Sequence, residues 1–275
     1  MDDYPIVVPL TELWNRLVSK IYIISLKECE DRRNKIEKEL ERVGIKQYSF
    51  KIVEKDQEDT KRGCFLSHQS AIRDGFEMGF ERILILEDDA YFINSLNVLR
   101  TSLQEVVSWI ERNRYNDDYL DIFFLGHLPI LPLRPIDKNS RIVKSDGSRY
   151  THSYIMTRVG MEKLLKTEYG GKHYDYYTGQ FPNNYALYPM ISYQDDVASV
   201  NDYHKLYKLF SGVRNKISCR RLCRVAEIAC YFKGVRLMGD VFGFFSFKNF
   251  NLLEKIRSFK KNEDKNEKDG EYWDI

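Results

Sequence analysis

Apolar residues in this 275-residue chain follow two alternating rhythms. Short unbroken runs rich in β-branched residues, Lys20 to Leu26 (KIYIISL), Tyr48 to Val53 and Arg82 to Glu87 (RILILE), have the length and polar borders of buried strands. Between them the period becomes helical. From Asp31 onward Ile36, Leu40 and Val43 recur among charges, with Gly44 placed to end the helix. A polar loop, Glu54 to Arg62, leads into a helix expected from about Phe65 to Met78 and closed by Gly79. After RILILE the pattern predicts a helix from about Leu96 to Arg112, then a strand from Asp121 to Leu125 ending at Gly126. A proline-rich loop follows, Leu128 to Pro135, then a strand near Ser153 to Thr157 and a helix near Val159 to Lys166. The Gly170-Gly171 break opens aromatic loops that run to about Ser199. The alternation predicts an α/β fold with a mostly parallel sheet.

Beyond Asp202 the chain turns basic and thiol-rich, and Phe259 to Asp274 alternates Lys with acids almost without aliphatics, as a solvated tail does. The expected division is a catalytic-type unit over 1–200, a basic aromatic extension over 201–258 and a charged tail over 259–275. Lys and Arg number 43 against 41 Asp and Glu, a net charge of +2, so the chain as a whole is no polyanion binder and any basic surface is local. The five cysteines, Cys29, Cys64, Cys219, Cys223 and Cys230, form no CxxC pair and no zinc spacing, and read as reduced thiols. The acidic start, Met1-Asp2-Asp3, lacks the positive region of a secretion signal. No stretch approaches the roughly 20 apolar residues that span a bilayer. A cytoplasmic protein is expected, one that can lie peripherally on a membrane.

Chemistry concentrates where the strands end. Glu87-Asp88-Asp89 follows the RILIL run, and ligands of open α/β sheets bind outside the carboxyl ends of strands. Unpaired like charges packed so closely repel by several kcal/mol at an effective dielectric of about 20, and hard oxygen ligands suit Mg²⁺ or Mn²⁺. The plainer reading has Asp88 or Asp89 capping the next helix or solvated in a loop. Gly63-Cys64-Phe65-Leu66-Ser67-His68 stands at an expected loop-to-helix transition, where free N–H groups and the helix dipole would suit a diphosphate. Its alternative is a bare helix start with Ser67 as N-cap and His68 packed nearby, and Cys64 reads as a small core residue.

Three motifs in order, Tyr22-Ile23-Ile24-Ser25-Leu26 with Asp31-Arg32-Arg33, then Gly63 to His68, then Ile85-Leu86-Glu87-Asp88-Asp89-Ala90, resemble glycosyltransferase family 25. That family includes bacterial lipooligosaccharide galactosyltransferases and procollagen galactosyltransferases, and the likeness runs from about Lys20 to Ser199. Tyr154-Ile155-Met156 with Gly160, and Leu187-Tyr188-Pro189 with Gln194, resemble its weaker C-terminal pattern. The resemblance implies a GT-A type, Rossmann-like nucleotide-sugar fold, and an inverting enzyme that uses UDP-galactose with Mn²⁺ or Mg²⁺. It implies Asp89, with Asp88, as metal ligands, and Ser25, Leu26, Arg32, Gly63, Ser67, His68, Glu87 and Asp88 around the UDP-sugar, with Glu87 able to address the ribose. The bland reading of Arg32 is a solvent-facing helix charge. Where the family often has Pro-Val-Asp this chain reads His173-Tyr174-Asp175, so Asp175 is the candidate base, with Asp195 and Asp196 as alternatives. His127, His152 and His204 are candidate second ligands.

In Arg214 to Arg236, seven basic residues accompany one acid, Glu227. Cys219, Leu222, Cys223, Ala226, Ala229 and Cys230 repeat at helical spacing opposite Arg220, Arg221 and Arg224, the pattern of an interfacial helix on anionic lipid. The alternative is packing or a protein contact. Nucleic acid is disfavoured, because no binding module accompanies the patch. Expected partners are the UDP-sugar and a saccharide, glycolipid or glycoprotein acceptor. The rival readings are a non-catalytic GT-A-like membrane-peripheral or assembly protein, and a nucleotidyltransferase using the same carboxylates.

Overall fold

The computed structural model describes residues 7–115, 119–129, 132–137 and 140–194. In chain order the elements are α1 (Leu10–Leu17), β1 (Lys20–Leu26), α2 (Glu30–Arg42), β2 (Ser49–Val53), α3 (Thr60–Glu77), β3 (Arg82–Glu87), β4 (Ala90–Phe92) and α4 (Leu96–Asn113). There follow β5 (Ile122–Leu128), β6 (Arg134–Pro135), β7 (Ile142–Lys144), β8 (Arg149–Thr157), α5 (Arg158–Leu165), α6 (Tyr174–Thr178), β9 (Asn184–Leu187) and β10 (Ser192–Gln194). Asp195, Asp196, His204 and the basic segment 214–236 lie outside the described residues.

An eight-stranded sheet runs in the order β2-β1-β3-β8-β5-β9-β7-β6, and β4 pairs with β10 in a small second sheet. The strands are apolar without alternation because helices cover both faces. Ile21 and Ile23 of β1, with Leu84 and Leu86 of β3, pack with Leu13, Trp14, Ile36, Leu40 and Leu103 of α1, α2 and α4. Their neighbours in sequence, Tyr22, Ile24, Ile83 and Ile85, pack on the other side with Phe65, Ile72, Met161, Leu164 and Tyr174 of α3, α5 and α6. The chain leaves β1 through α2 to β2, then crosses through α3 to β3 on the far side of β1. This reversal places the carboxyl ends of β1 and β3 at a topological switch point, where α/β sheets open a crevice for ligands.

The α/β class holds, but the sheet is mixed rather than mostly parallel. Pairs β1/β2, β1/β3 and β5/β9 are parallel, while β3/β8, β5/β8, β7/β9 and β6/β7 are antiparallel. A parallel neighbour needs a crossover connection, and among the described residues no helix separates β5 from β8. The strand expected to stop at Gly126 continues to Leu128 through register shifts at that glycine. A Cβ there would come within 2.3 Å of both His152 Nε2 and the Ser192 carbonyl oxygen, so only glycine lets β5 pass. β8 begins at Arg149, four residues ahead of the expected start, and the aromatic loops contain α6, β9 and β10. Ahead of β1, α1 buries Leu10, Leu13, Trp14 and Leu17, an i, i+3, i+4, i+7 stripe.

The largest correction concerns α3. It starts at Thr60, not near Phe65, because Asp59 caps it by accepting from the Lys61 and Arg62 N–H groups. Gly63 therefore lies inside the helix, its N–H donating to the Asp59 carbonyl. Ser67 is no N-cap either; its hydroxyl donates back to the Gly63 carbonyl at 2.6 Å. The loop-to-helix transition expected at Gly63 to His68 is thus overturned. Gly63 is required for another reason, since a Cβ there would lie 2.8 Å from Asp56 Cβ in the preceding loop.

Candidate active site

Parallel pairing sets Ile24 opposite Glu87, and the Asp88 N–H donates to the Ile24 carbonyl. The acidic motif consequently turns off β3 directly beside Ser25 and Leu26. Arg33, in the first part of α2, braces that end of β1 by donating to Ser25 Oγ and to the Leu26 and Lys27 carbonyls. Asp88 and Asp89 cap no helix, for the next one, α4, is capped by Ser95. They lead into β4 instead.

Arg32 is not a solvent-facing charge. Its side chain is 16% exposed, and its Nη2 lies 2.5 Å from Asp88 Oδ1 and 2.7 Å from Asp89 Oδ2. Arg32 Nε and Asp89 Oδ1 are buried without a hydrogen-bond partner. One guanidinium faces two carboxylates. Burial, then the charge of Glu87, pushes the Asp89 carboxyl above its usual range against the opposing pull of Arg32. Asp88 is raised as well, chiefly by burial, with Arg32 and Ser25 opposing. The guanidinium is held protonated by the Asp89 and Asp88 charges in spite of burial. Beside these groups a cavity of about 260 Å³ is lined by Arg32, Lys35, Ile36, Glu39, Asp88 and Asp89, among others. A larger groove, about 430 Å³, runs along Arg73, Phe76 and Glu162 between α3 and α5 and contains none of the motif residues.

Glu87 faces a separate set of partners. Gln194 of β10 donates to its Oε2 at 3.3 Å, and His68 Nε2 stands 3.6 Å from its Oε1. Burial alone would raise this carboxyl, but His68, then the charges of His152 and Arg32, bring it below its usual range. His68 is 1% exposed. Its Nδ1 lies 2.9 Å from the Tyr154 hydroxyl, which lies 2.7 Å from the Tyr174 hydroxyl. Its ring stacks on Tyr174 at 4.0 Å between centroids. Every hydroxyl proton is used if Tyr174 donates to Tyr154, Tyr154 donates to His68 Nδ1, and the Nε2–H points to Glu87.

This relay ties α6 to the acidic motif, and Asp175 follows Tyr174 on that helix. Asp175 is 8% exposed, with Arg149 Nη1 3.5 Å from Oδ1 and the Tyr150 N–H donating to Oδ2. Burial raises its pKa, with Arg149 opposing, and it feels the charge of Glu87. Tyr150 has φ of 60°, a backbone state that non-glycine residues avoid and that often marks functional positions. His127 and His152 are wholly buried, which lowers their pKa to about 3 and about 4. Cys64 packs against the α3 side of the core as expected, and burial pushes its thiol up. Arg33, Tyr154, Tyr174, Gln194 and Arg149 are the site residues that sequence reasoning did not assign. All but Arg149 stand inside or beside motifs already noted.

Among the described residues no group of three His, Cys, Asp or Glu side chains converges as a metal site. Asp88 and Asp89 nevertheless fit a Mg²⁺-type ion, which is commonly held by one or two carboxylates together with substrate phosphates. The unpartnered Asp89 Oδ1 is a ready ligand of that kind.

Residues 56–177 match glycosyltransferase family 25, described as an LPS biosynthesis protein family. Procollagen galactosyltransferase 1 of Danio rerio is 31% identical over 110 residues, 38% of this chain and 17% of the relative. The inactive glycosyltransferase 25 family member 3 of Homo sapiens is 27% identical over 108 residues, again 38% of this chain and 17% of the relative. The chain thus spans about a sixth of the length of these relatives. A solved glycosyltransferase involved in the glycosylation of the major capsid of PBCV-1 aligns with a TM-score of 0.31 and 14% identity, covering 53% of this chain and 63% of its own. The matched stretch from Asp56 to Tyr177, which carries α3, the acidic motif and α6, is thus similar to glycosyltransferase family 25.

Proposed function

We propose that this chain is a glycosyltransferase that moves a sugar, galactose from UDP-galactose, to a hydroxyl of a saccharide, glycolipid or glycoprotein acceptor with inversion. The observation that carries the reading is the Glu87-Asp88-Asp89 motif at the switch point between β1 and β3, inside a family 25 segment. Galactose is taken from the names of the relatives.

In the proposed reaction the acceptor oxygen attacks C1 of the donor sugar, and the bond from C1 to the diphosphate oxygen breaks on the opposite face. UDP leaves with the bonding electrons, and the hydroxyl proton passes to a carboxylate. Asp175 suits that part because burial raises its affinity for a proton toward the working pH. Asp195 and Asp196 are the alternative bases. Asp88 and Asp89 would hold Mn²⁺ or Mg²⁺, which when bound offsets charge on the departing diphosphate. Glu87, kept ionised by His68, is suited to accept from a donor hydroxyl. Ser25 and Leu26 border the same crevice, and Arg33 keeps their backbone in place.

The test is UDP release from UDP-galactose with Mn²⁺ across a panel of saccharide acceptors. Asp175→Asn is expected to lower turnover about 10²-fold or more while UDP affinity persists. If Asp195→Asn or Asp196→Asn behaves that way instead, the base is there. The likeness to an inactive family member favours a second reading, a non-catalytic protein on the same fold. No turnover with any UDP-sugar and no thermal stabilisation by UDP plus Mn²⁺ would decide for it.

No helix among the described residues is long and apolar enough to cross a membrane. Attachment through the basic segment 214–236 is part of the proposal. It is checked by salt-sensitive co-sedimentation with anionic vesicles that is lost when Arg220, Arg221 and Arg224 become Glu.

A further inference from the structure

The pairing at the acidic motif is lopsided. A guanidinium normally meets carboxylates through its fork, two N–H groups to two oxygens. Here the single Nη2 of Arg32 serves Asp88 and Asp89 together, at 2.5 and 2.7 Å, while Arg32 Nε and Asp89 Oδ1 are buried and unpartnered. The side chain therefore occupies the place between two carboxylates that a cation would take, yet leaves one donor and one acceptor unused. It stands on the wall of the 260 Å³ cavity with Lys35, within the first turn of α2. Arg33, the next residue, is committed elsewhere, to Ser25 Oγ and the Leu26 and Lys27 carbonyls, so it cannot take over if Arg32 moves.

We propose that Arg32 is a displaceable counter-ion: it neutralises Asp88 and Asp89 while no donor is bound, and gives them up to a divalent cation only when a diphosphate receives its guanidinium. The proposal rests on the reading of Asp88 and Asp89 as the cation site. Charge balance supplies the reason. A divalent cation arriving alone would press against the buried guanidinium or leave it without a partner, and an uncompensated buried charge is strongly unfavourable. A diphosphate removes that penalty by offering Arg32 new oxygens, including one for its unused Nε–H, and by completing the coordination of the cation. Cation and nucleotide then bind cooperatively, each raising the affinity for the other by the same factor. The cation is thereby kept off the motif until the nucleotide is present, a linkage that the acidic residues alone would not impose.

The experiment is Mn²⁺ binding followed by electron paramagnetic resonance of the free ion, with the full chain, in the presence and absence of saturating UDP. For the unaltered protein UDP is expected to raise Mn²⁺ affinity at least tenfold. In Arg32→Met, which keeps the side-chain volume and removes the charge, Mn²⁺ affinity without nucleotide should rise at least tenfold. That factor corresponds to about 1.4 kcal/mol. The enhancement by UDP should shrink. Arg32→Lys, retaining a cation at the same position, should keep the low affinity without nucleotide, and this variant with the unaltered protein keeps the idea testable if Arg32→Met does not fold. Unchanged Mn²⁺ affinity in folded Arg32→Met, or equal affinity of the unaltered protein with and without UDP, overturns the displacement while leaving the cation site standing. No Mn²⁺ binding by any of these proteins even with UDP removes the cation site and the displacement together.

Discussion

Deleting one hydroxyl from the Tyr174–Tyr154–His68 relay should cost very different amounts according to which hydroxyl is removed. The Tyr154 hydroxyl sits in the middle, 2.9 Å from His68 Nδ1 and 2.7 Å from the Tyr174 hydroxyl, in a part of the core closed to solvent. Tyr154→Phe strands two buried groups at once: His68 Nδ1 loses its donor and the Tyr174 hydroxyl loses its acceptor. Each unsatisfied buried group costs about 1–3 kcal/mol, so a loss of about 3 kcal/mol is expected. Tyr174→Phe removes only the outer donor, and Tyr154 continues to donate to His68. The net value of one such bond is about 1 kcal/mol. With about 2–4 °C per kcal/mol for a unit of 150–250 residues, melting should fall by about 6–12 °C for Tyr154→Phe and about 2–4 °C for Tyr174→Phe. Both changes keep the ring, so packing against Phe65 and Phe124 is preserved. Denaturant unfolding of the two variants and the parent gives the comparison directly. Equal losses, or a larger loss for Tyr174→Phe, would falsify the stated direction of the relay, since the outer tyrosine would then be accepting rather than donating.

The remaining predictions rest on other features. An unfolded imidazole takes up its proton near pH 6.5, but burial lowers that of His127 to about 3. Between those values the unfolded chain binds more protons, so stability falls as pH falls from about 6.5, at up to about 1.4 kcal/mol per pH unit from this residue. His127→Gln should flatten the acid slope of unfolding free energy by about one proton, and an unchanged slope would show that His127 does not titrate as argued. At the joint between β8 and α5 a Cβ on Gly160 would lie 2.4 Å from the Asp121 carbonyl oxygen. Gly160→Ala should therefore cost about 3 kcal/mol, because the backbone just ahead of β5 must shift, and a melting temperature matching the parent would refute it.

The sequence by itself determined the local elements and the place of the chemistry. KIYIISL and RILILE could only be strands covered on both faces, since their length and β-branched content leave no polar side to present to water, and β1 and β3 match those bounds. The helix from Asp31 and its end at Gly44, with φ of 78°, followed from apolar spacing and from the freedom of glycine in a left-handed turn. The position of Glu87-Asp88-Asp89 at a strand end was equally legible. The start of α3 was not, because apolar period locates a helix face whereas the terminus is fixed by whichever side chain satisfies the first free N–H groups; Asp59 does so from inside a stretch that reads as loop.

What only the tertiary structure decided was pairing between distant positions. Sheet direction depended on β8 entering between β3 and β5 without a crossover helix. Arg32 reads as one charge in a helix of charges until the register of β1 against β3 brings the acidic turn beside the start of α2. The relay likewise joins residues 68, 154 and 174, drawn from α3, β8 and α6. Periodicity reports which face of an element is buried, and a buried polar side chain carries no mark of its partner. That partner is chosen by the unmet hydrogen bond or charge it finds once the layers close, and it is at this level that an acidic motif acquires its counter-ion and a histidine its direction.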